Sequence, residues 1–313
     1  MDLYKEILNG NKVALAKGIT LLESSLDSDN KIAQDLLQKC LAHGINSIRV
    51  GITGVPGVGK SSFIEVLGKL LTNKGHKVAV LTIDPSSEKT QGSILGDKSR
   101  MHQLAVDDNA FIRPSPSSGT LGGLANKTKE SIVLCEAAGY DIILVETVGV
   151  GQSETSVNNI CDFFLLLMLS GAGDELQGIK RGIMEIADML VITKAEGDNL
   201  QKAKNAMQEY QRALHLFPAM ENGWIPKVSS CSSIKHTGIS EIWETISSFN
   251  NQMISSNWKT ENRRRQDIYW LHQTIKEELG KKIYKSLSKE IFKKLEIELT
   301  NGKTIFQILE EIQ

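Results

Sequence analysis

The sequence has 313 residues, 41% apolar and 23% charged, an ordinary globular balance with room for one large domain or two smaller ones. Its formal net charge of −1 excludes the global basic field that gathers nucleic acid, and its longest apolar run, Phe163 to Leu169, is too short to cross a bilayer. Four widely spaced cysteines (Cys40, Cys135, Cys161, Cys231), three of them among apolar residues, and a first stretch without a signal-peptide core make a cytoplasmic protein with free thiols the expectation.

Residues 1–45 read as an appended helical piece. Ile7 and Leu8, then Val13, Leu15, Ala16, Ile19, Leu21 and Leu22, then Ile32, Leu36, Leu37, Cys40 and Leu41 form apolar stripes at spacings of three and four. Asp27-Ser28-Asp29-Asn30 breaks the pattern and is placed to cap the next helix. No chemistry shows in this region.

The organising motif follows. Ile48 to Ile52 is a short β-rich apolar run, and Gly54-Val55-Pro56-Gly57-Val58-Gly59-Lys60-Ser61 fits G-x-x-x-x-G-K-[ST]. Phe63, Val66, Leu67, Leu70 and Leu71 then recur at helical spacing, so the loop lies between a strand and a helix. Such glycines let successive backbone N–H groups converge on a phosphate at a helix N-terminus. Lys60 would reach the β- and γ-phosphates, and the Ser61 hydroxyl would ligate Mg²⁺.

From about 47 to 250 apolar strands alternate with helical segments: Lys77–Ile83, Ala110–Arg113, Asp141–Val145, Phe163–Leu169, Met189–Ile192 and a last one beginning near Pro226. Continuous apolar strands of this kind imply an α/β fold, a mostly parallel sheet with helices on both faces. Ligands of such sheets bind beyond the carboxyl ends of the strands, where Asp84, Glu146, Gly171 and Thr193 fall. Glu146-Thr147-Val148-Gly149 stands where a nucleotide hydrolase holds a carboxylate near Mg²⁺, and Gly149 would offer its N–H to a γ-phosphate. Asp84-Pro85-Ser86-Ser87 and Gly92 to Arg100, with Asp97, suit a loop that closes over phosphate and metal. A second glycine-rich loop, Gly171 to Lys180, is suited either to a nucleotide or to a partner.

Thr193-Lys194-Ala195-Glu196 occupies the place of Asn-Lys-x-Asp in guanine-nucleotide proteins, with Thr for Asn and Glu for Asp. The bidentate acceptor for guanine N1–H and its 2-amino group survives, one methylene longer. Ser232-Ser233-Ile234 would offer a backbone N–H to guanine O6, and adenine presents a donor there instead. Beyond about 256, Ile268, Leu271, Ile275 and Leu279, then Ile283, Leu287, Ile291 and Leu295, mark two long amphipathic helices, and Gly302 precedes a short last helix over Thr304–Ile312. These helices must bury their apolar faces on the core or on another chain. Arg263-Arg264-Arg265 reads as a solvated helix start.

With these residues in view the sequence resembles the methylmalonyl-CoA mutase-associated GTPase family. The likeness is carried by Gly54 to Ser62, Asp84 to Ser87, Gly92 to Arg100, Glu146 to Glu154 and Gly171 to Lys180, and it covers nearly the whole chain. It implies a P-loop NTPase of the SIMIBI class with an N-terminal helical extension (1–45), a GTPase domain (46–253) and a C-terminal helical arm (254–313) that forms a homodimer. It also implies that Asp84, Asp97 and Glu146 surround Mg²⁺ with Ser61, that Asp174 to Lys180 respond to a partner, and that Lys180 approaches the nucleotide. GTP and GDP would be substrate and product. The implied role is a GTPase chaperone that gates adenosylcobalamin loading into methylmalonyl-CoA mutase, or a related acyl-CoA mutase, and protects that enzyme, with slow hydrolysis until the partner accelerates it. Ser62 replaces the usual Thr. The rival readings are a metallochaperone GTPase, which calls for a Cys/His cluster, and a nucleotide-sensing module or P-loop kinase, which calls for a phosphate-acceptor pocket.

Overall fold

The computed structural model describes residues 2–24, 26–43, 46–83, 101–114, 121–147, 157–171, 181–280, 284 and 287–312. Seven strands form one sheet: β1 (Ile48–Gly54), β2 (Val78–Ile83), β3 (Ala110–Pro114), β4 (Ile142–Thr147), β5 (Phe163–Met168), β6 (Met189–Ile192) and β7 (Lys227–Ser230). Every pairing is parallel, and the order is β3-β2-β4-β1-β5-β6-β7. β2, β4, β5 and β6 are buried along their whole length, which is why they read as unbroken apolar runs rather than alternating ones.

The order places β1 between β4 and β5. The chain leaves β1 toward one edge (β2, β3), returns to β4, then crosses to build the other half (β5, β6, β7). A sheet that reverses its direction of growth opens a crevice at the carboxyl ends of the strands on either side of the switch. Here those ends are Gly54 of β1, Thr147 of β4 and Met168 of β5, so topology alone aims the β1 loop into the crevice.

The sheet belongs to the unit formed by residues 47–118 and 141–259. Its described helices are α4 (Lys60–Asn73), α5 (His102–Ala105), α7 (Arg181–Glu185), α8 (Leu200–Leu214) and α9 (Ile239–Ser255), with a 3-10 turn at Gly197–Asn199. Phe63, Ile64, Leu67 and Leu71 of α4 share a buried core with Val50, Ile52, Val80 and Leu144. On the β5 side Phe249 of α9 meets Phe163 and Trp224 edge-on, with ring centroids 5.0 and 5.1 Å apart.

A second unit gathers residues 1–46, 119–140 and 260–313. It holds α1 (Leu3–Leu8), α2 (Lys12–Glu23), α3 (Asp27–Leu41) and α6 (Leu121–Ala137), together with α10 (Trp258–Glu278) from residue 260 on, α11 (Lys289–Thr300) and α12 (Ile305–Ile312). α2 opens on an Asn11 cap whose side chain accepts from Val13 N and Ala14 N. The expected cap at Asp27–Asn30 is displaced: Leu26 is the N-cap of α3, without a side-chain bond, and the helix already begins at Asp27. α10, α11 and α12 bury their stripes against one another through Leu271, Ile275, Leu295, Ile308 and Leu309. α12 starts with a reciprocal cap, Gln307 N to Thr304 Oγ1 and Thr304 N to Gln307 Oε1. Arg264 and Arg265 are exposed, while Arg263 lies 3.6 Å from Glu136 of α6. Among the described residues no helix is long and apolar enough to cross a membrane.

Candidate nucleotide-binding site

The loop after β1 is set by close approach. Gly54 holds φ +151°, and a Cβ there would stand 2.4 Å from the carbonyl oxygen of Leu167 in β5, so only glycine lets the two backbones pass. The chain then turns through Gly57 (φ +77°) and Gly59 (φ +98°), the latter being the N-cap of α4, while Val58 plugs the core beneath. This is the curled, helix-opening backbone that gathers N–H groups on an anion. Lys60 is only 8% exposed, and its ammonium donates to Gly54 O at 2.8 Å and Val55 O at 3.4 Å. The charge is thereby held inside the curl, where burying it without hydrogen bonds would be costly.

β4 brings the carboxylate. Glu146 is 3% exposed and accepts from Ser61 Oγ at 3.0 Å; alongside, Thr147 Oγ1 donates to Thr53 Oγ1 at 2.8 Å. A hydroxyl and a carboxylate oxygen side by side at a helix N-terminus are the hard-oxygen donors that Mg²⁺ takes. Ser62, on the next position of α4, is exposed, and Pro56 and Gly57 form the exposed tip of the loop. Asp84, Asp97, Gly149 and Lys180 lie outside the described residues. Among the described residues no three His, Cys, Asp or Glu side chains gather as a metal-binding group.

The residues expected to read a base lie at the β6 and β7 termini. Thr193 is buried, and its Oγ1 donates to Val58 O at 2.7 Å and Met168 O at 3.2 Å, so this side chain joins the phosphate loop to the end of β5. Lys194 is exposed with φ +55°. Ala195 N donates to Cys231 O at 3.0 Å, which places Glu196 beside the turn after β7. Glu196 is half-buried, and its Oε2 is a fully buried acceptor with no hydrogen-bond partner among the described residues. Burial, and then the neighbouring Glu196 carboxylate, push the Cys231 thiol up to about 12. A buried, unmatched acceptor suits a ligand that brings an N–H donor to it.

Ser232 is fully buried and works inside its own loop: Oγ accepts from Lys235 N at 2.9 Å, and its backbone pairs with Thr237 in both directions at 3.0 and 3.1 Å. Gly238 closes the loop with φ +78°, a position where a Cβ would lie 2.3 Å from Ser230 O. Ser233 is half-buried and Ile234 75% exposed. The phosphate loop with Glu146 thus stands at one end of the crevice and the 193–196 turn with the 232–237 loop at the other, joined by Thr193. Sequence reasoning passed over Asn199, whose amide joins Ser170 to Lys194, because nothing in its local pattern distinguishes it from any polar residue opening a helix.

The family model described as methylmalonyl Co-A mutase-associated GTPase MeaB matches residues 15–288. The chain is similar to a probable GTPase of Mycobacterium tuberculosis, 47% identical over 275 residues that cover 88% of this chain and 82% of that protein. It is 48% identical over 285 residues to the mitochondrial methylmalonic aciduria type A homolog of Mus musculus, covering 88% of this chain and 69% of that one. The crystal structure of an LAO/AO transport system kinase superposes with a TM-score of 0.77 at 34% identity, over 99% of this chain and 95% of that chain.

Proposed function

Because this chain belongs to the methylmalonyl-CoA mutase-associated GTPase family and is a GTPase, we propose that it serves an adenosylcobalamin-dependent acyl-CoA mutase, methylmalonyl-CoA mutase first among them. In this role it gates loading of the cofactor into the mutase and protects the loaded enzyme from inactivation, and it acts in the cytoplasm. The family match over residues 15–288 supports the partner, as does the name of the mouse relative. The observation that carries the choice of nucleotide is the buried, unmatched Oε2 of Glu196, an acceptor that guanine satisfies and adenine does not.

In this reading the loop from Gly54 to Ser62 wraps the phosphates through its backbone N–H groups, and Lys60 leaves its loop carbonyls to pair with the β- and γ-phosphates. Ser61 and Glu146, with Asp84 and Asp97, hold Mg²⁺, which when bound neutralises charge developing on the phosphate oxygens. Gly149 gives its N–H to the γ-phosphate. Lys194 covers the base, Glu196 accepts its N1–H and 2-amino protons, and Ser233 and Ile234 offer N–H groups to O6. Lys180 supplies further positive charge once the mutase rearranges the 174–180 stretch, which accounts for slow hydrolysis without the partner. Residues 1–45 are an extension to the GTPase domain of 46–253, and residues 254–313 form the homodimerisation arm.

Affinity capture from the native cell with the tagged full chain tests the partner. An adenosylcobalamin-dependent mutase is expected among the retained proteins, more of it with a non-hydrolysable GTP analogue than without nucleotide. Its absence under both conditions would overturn the proposed partner and leave the GTPase assignment intact.

A further inference from the structure

Asn199 bonds to both sides of the base-reading turn. Ser170 Oγ, just past the end of β5, donates to Asn199 Oδ1 at 2.6 Å, and Asn199 Nδ2 donates to Lys194 O at 2.8 Å. The amide has one workable orientation, since a carbonyl oxygen accepts and cannot donate: the nitrogen must face Lys194 and the oxygen Ser170. Lys194 O also accepts from Glu196 N at 2.9 Å, which uses both of its lone pairs. Asn199 N in turn donates to Glu196 O at 3.1 Å.

These bonds hold a backbone that would not keep its shape unaided. Lys194 sits at φ +55°, a left-handed conformation that disfavours a residue with a side chain and persists where its surroundings over-determine it. Glu196 follows in extended conformation, φ −140° and ψ 161°. The direction of its carboxylate depends on that change of backbone over two residues. Asn199 secures the carbonyls of Lys194 and Glu196, the first through its side chain and the second through its own N–H.

We propose that Asn199 is a positioning residue for base recognition, holding the 194–196 turn so that the Glu196 carboxylate meets both guanine donors at once. The proposal rests on the reading of Glu196 as the guanine acceptor. Asn199 acts through Glu196, and its anchor is the Ser170 hydroxyl. Loss of the clamp lets Lys194 relax toward ordinary φ and turns the carboxylate away from the second donor.

The test is the ratio of KM for ITP, which lacks the 2-amino group, to KM for GTP, measured on the full chain for wild type, Asn199→Ala, Asn199→Asp, Ser170→Ala and Glu196→Gln. Asn199→Ala and Asn199→Asp are expected to shrink the ratio by about tenfold, and Ser170→Ala by less. Asn199 is half-buried on the edge of the turn, so the melting temperature reports separately whether a variant folds. A merely structural role would raise both KM values together and leave the ratio alone. If both Asn199 variants keep the wild-type ratio while Glu196→Gln collapses it, the proposal is overturned and the guanine reading stands. If Glu196→Gln also leaves the ratio unchanged, the guanine reading falls and the proposal falls with it.

Discussion

The hydroxyl of Thr193 donates to the carbonyl oxygen of Val58 at 2.7 Å, across 135 residues of sequence. This bond ties the loop after β1 directly to the 193–196 turn after β6. Thr193 N independently donates to Met168 O, so the strand end stays in register while the hydroxyl reaches over to the loop.

Replacing Thr193 with Val keeps the shape and deletes the donor. The Met168 carbonyl retains its backbone partner, but the Val58 carbonyl loses this one in a buried setting. The expected cost is about 1–2 kcal/mol in urea unfolding, with a several-fold rise in KM for GTP. Unchanged stability and unchanged KM together would show that the bond couples nothing.

Asp188 predicts a pH dependence. It is buried, with Oδ2 accepting from Phe164 N at 2.8 Å, and desolvation pushes its carboxyl up to about 7 despite that N–H. In the unfolded chain an aspartate titrates near 3.9. Between about pH 4 and 7 the folded state therefore keeps a proton that the unfolded state releases, and stability falls as pH rises through that window. Asp188→Asn removes the dependence. Its melting temperature should lie near that of wild type at pH 4.5 and rise above it by pH 7.5, a difference on the order of 2–4 kcal/mol in unfolding free energy. Parallel curves for the two proteins would contradict this account of Asp188.

The C-terminal arm offers its own test. α10, α11 and α12 bury their central stripes together, yet Ile291 and Ile297 of α11 remain 42% and 52% exposed. If the arm makes the homodimer, Ile291→Asp combined with Ile297→Asp should shift sedimentation from dimer toward monomer while the helical signal and melting temperature stay near wild type. A dimer of undiminished affinity in the double variant would remove α11 from the interface.

Much of this was legible in the sequence because the signals were local. A phosphate loop is eight consecutive residues with defined neighbours, and strands buried on both faces show as unbroken apolar runs such as Phe163 to Met168. Glu146 and Glu196 could be picked out because each stands near a strand's carboxyl end, although β4 runs on through Thr147 and so holds Glu146 inside the strand rather than after it. What escaped notice depends on contacts far apart in the chain. Thr193 occupies an Asn position of a familiar motif, and only the fold shows it bracing Val58. Cys231 lies in a run of serines that gives no hint of burial, yet it is buried. Lys259 looks like one more charge at the start of α10, and its Nζ instead donates to Ser47 O and Asn250 Oδ1, both at 2.8 Å, deep inside the unit. The cap of α3 failed for the opposite reason: Asp27 to Asn30 are good capping residues, but the turn set up by Ser24, whose hydroxyl accepts from Leu26 N and donates to Asp29, starts the helix earlier.

Whether this GTPase answers to a mutase is read most directly from its turnover. The direct measurement is GTP hydrolysis by the purified full chain, alone and with an adenosylcobalamin-dependent acyl-CoA mutase, with Lys60→Ala beside wild type. Slow hydrolysis alone, a rise of at least tenfold with the mutase, and no hydrolysis by Lys60→Ala in either case are expected. A rate that no such mutase changes would contradict the proposed partner.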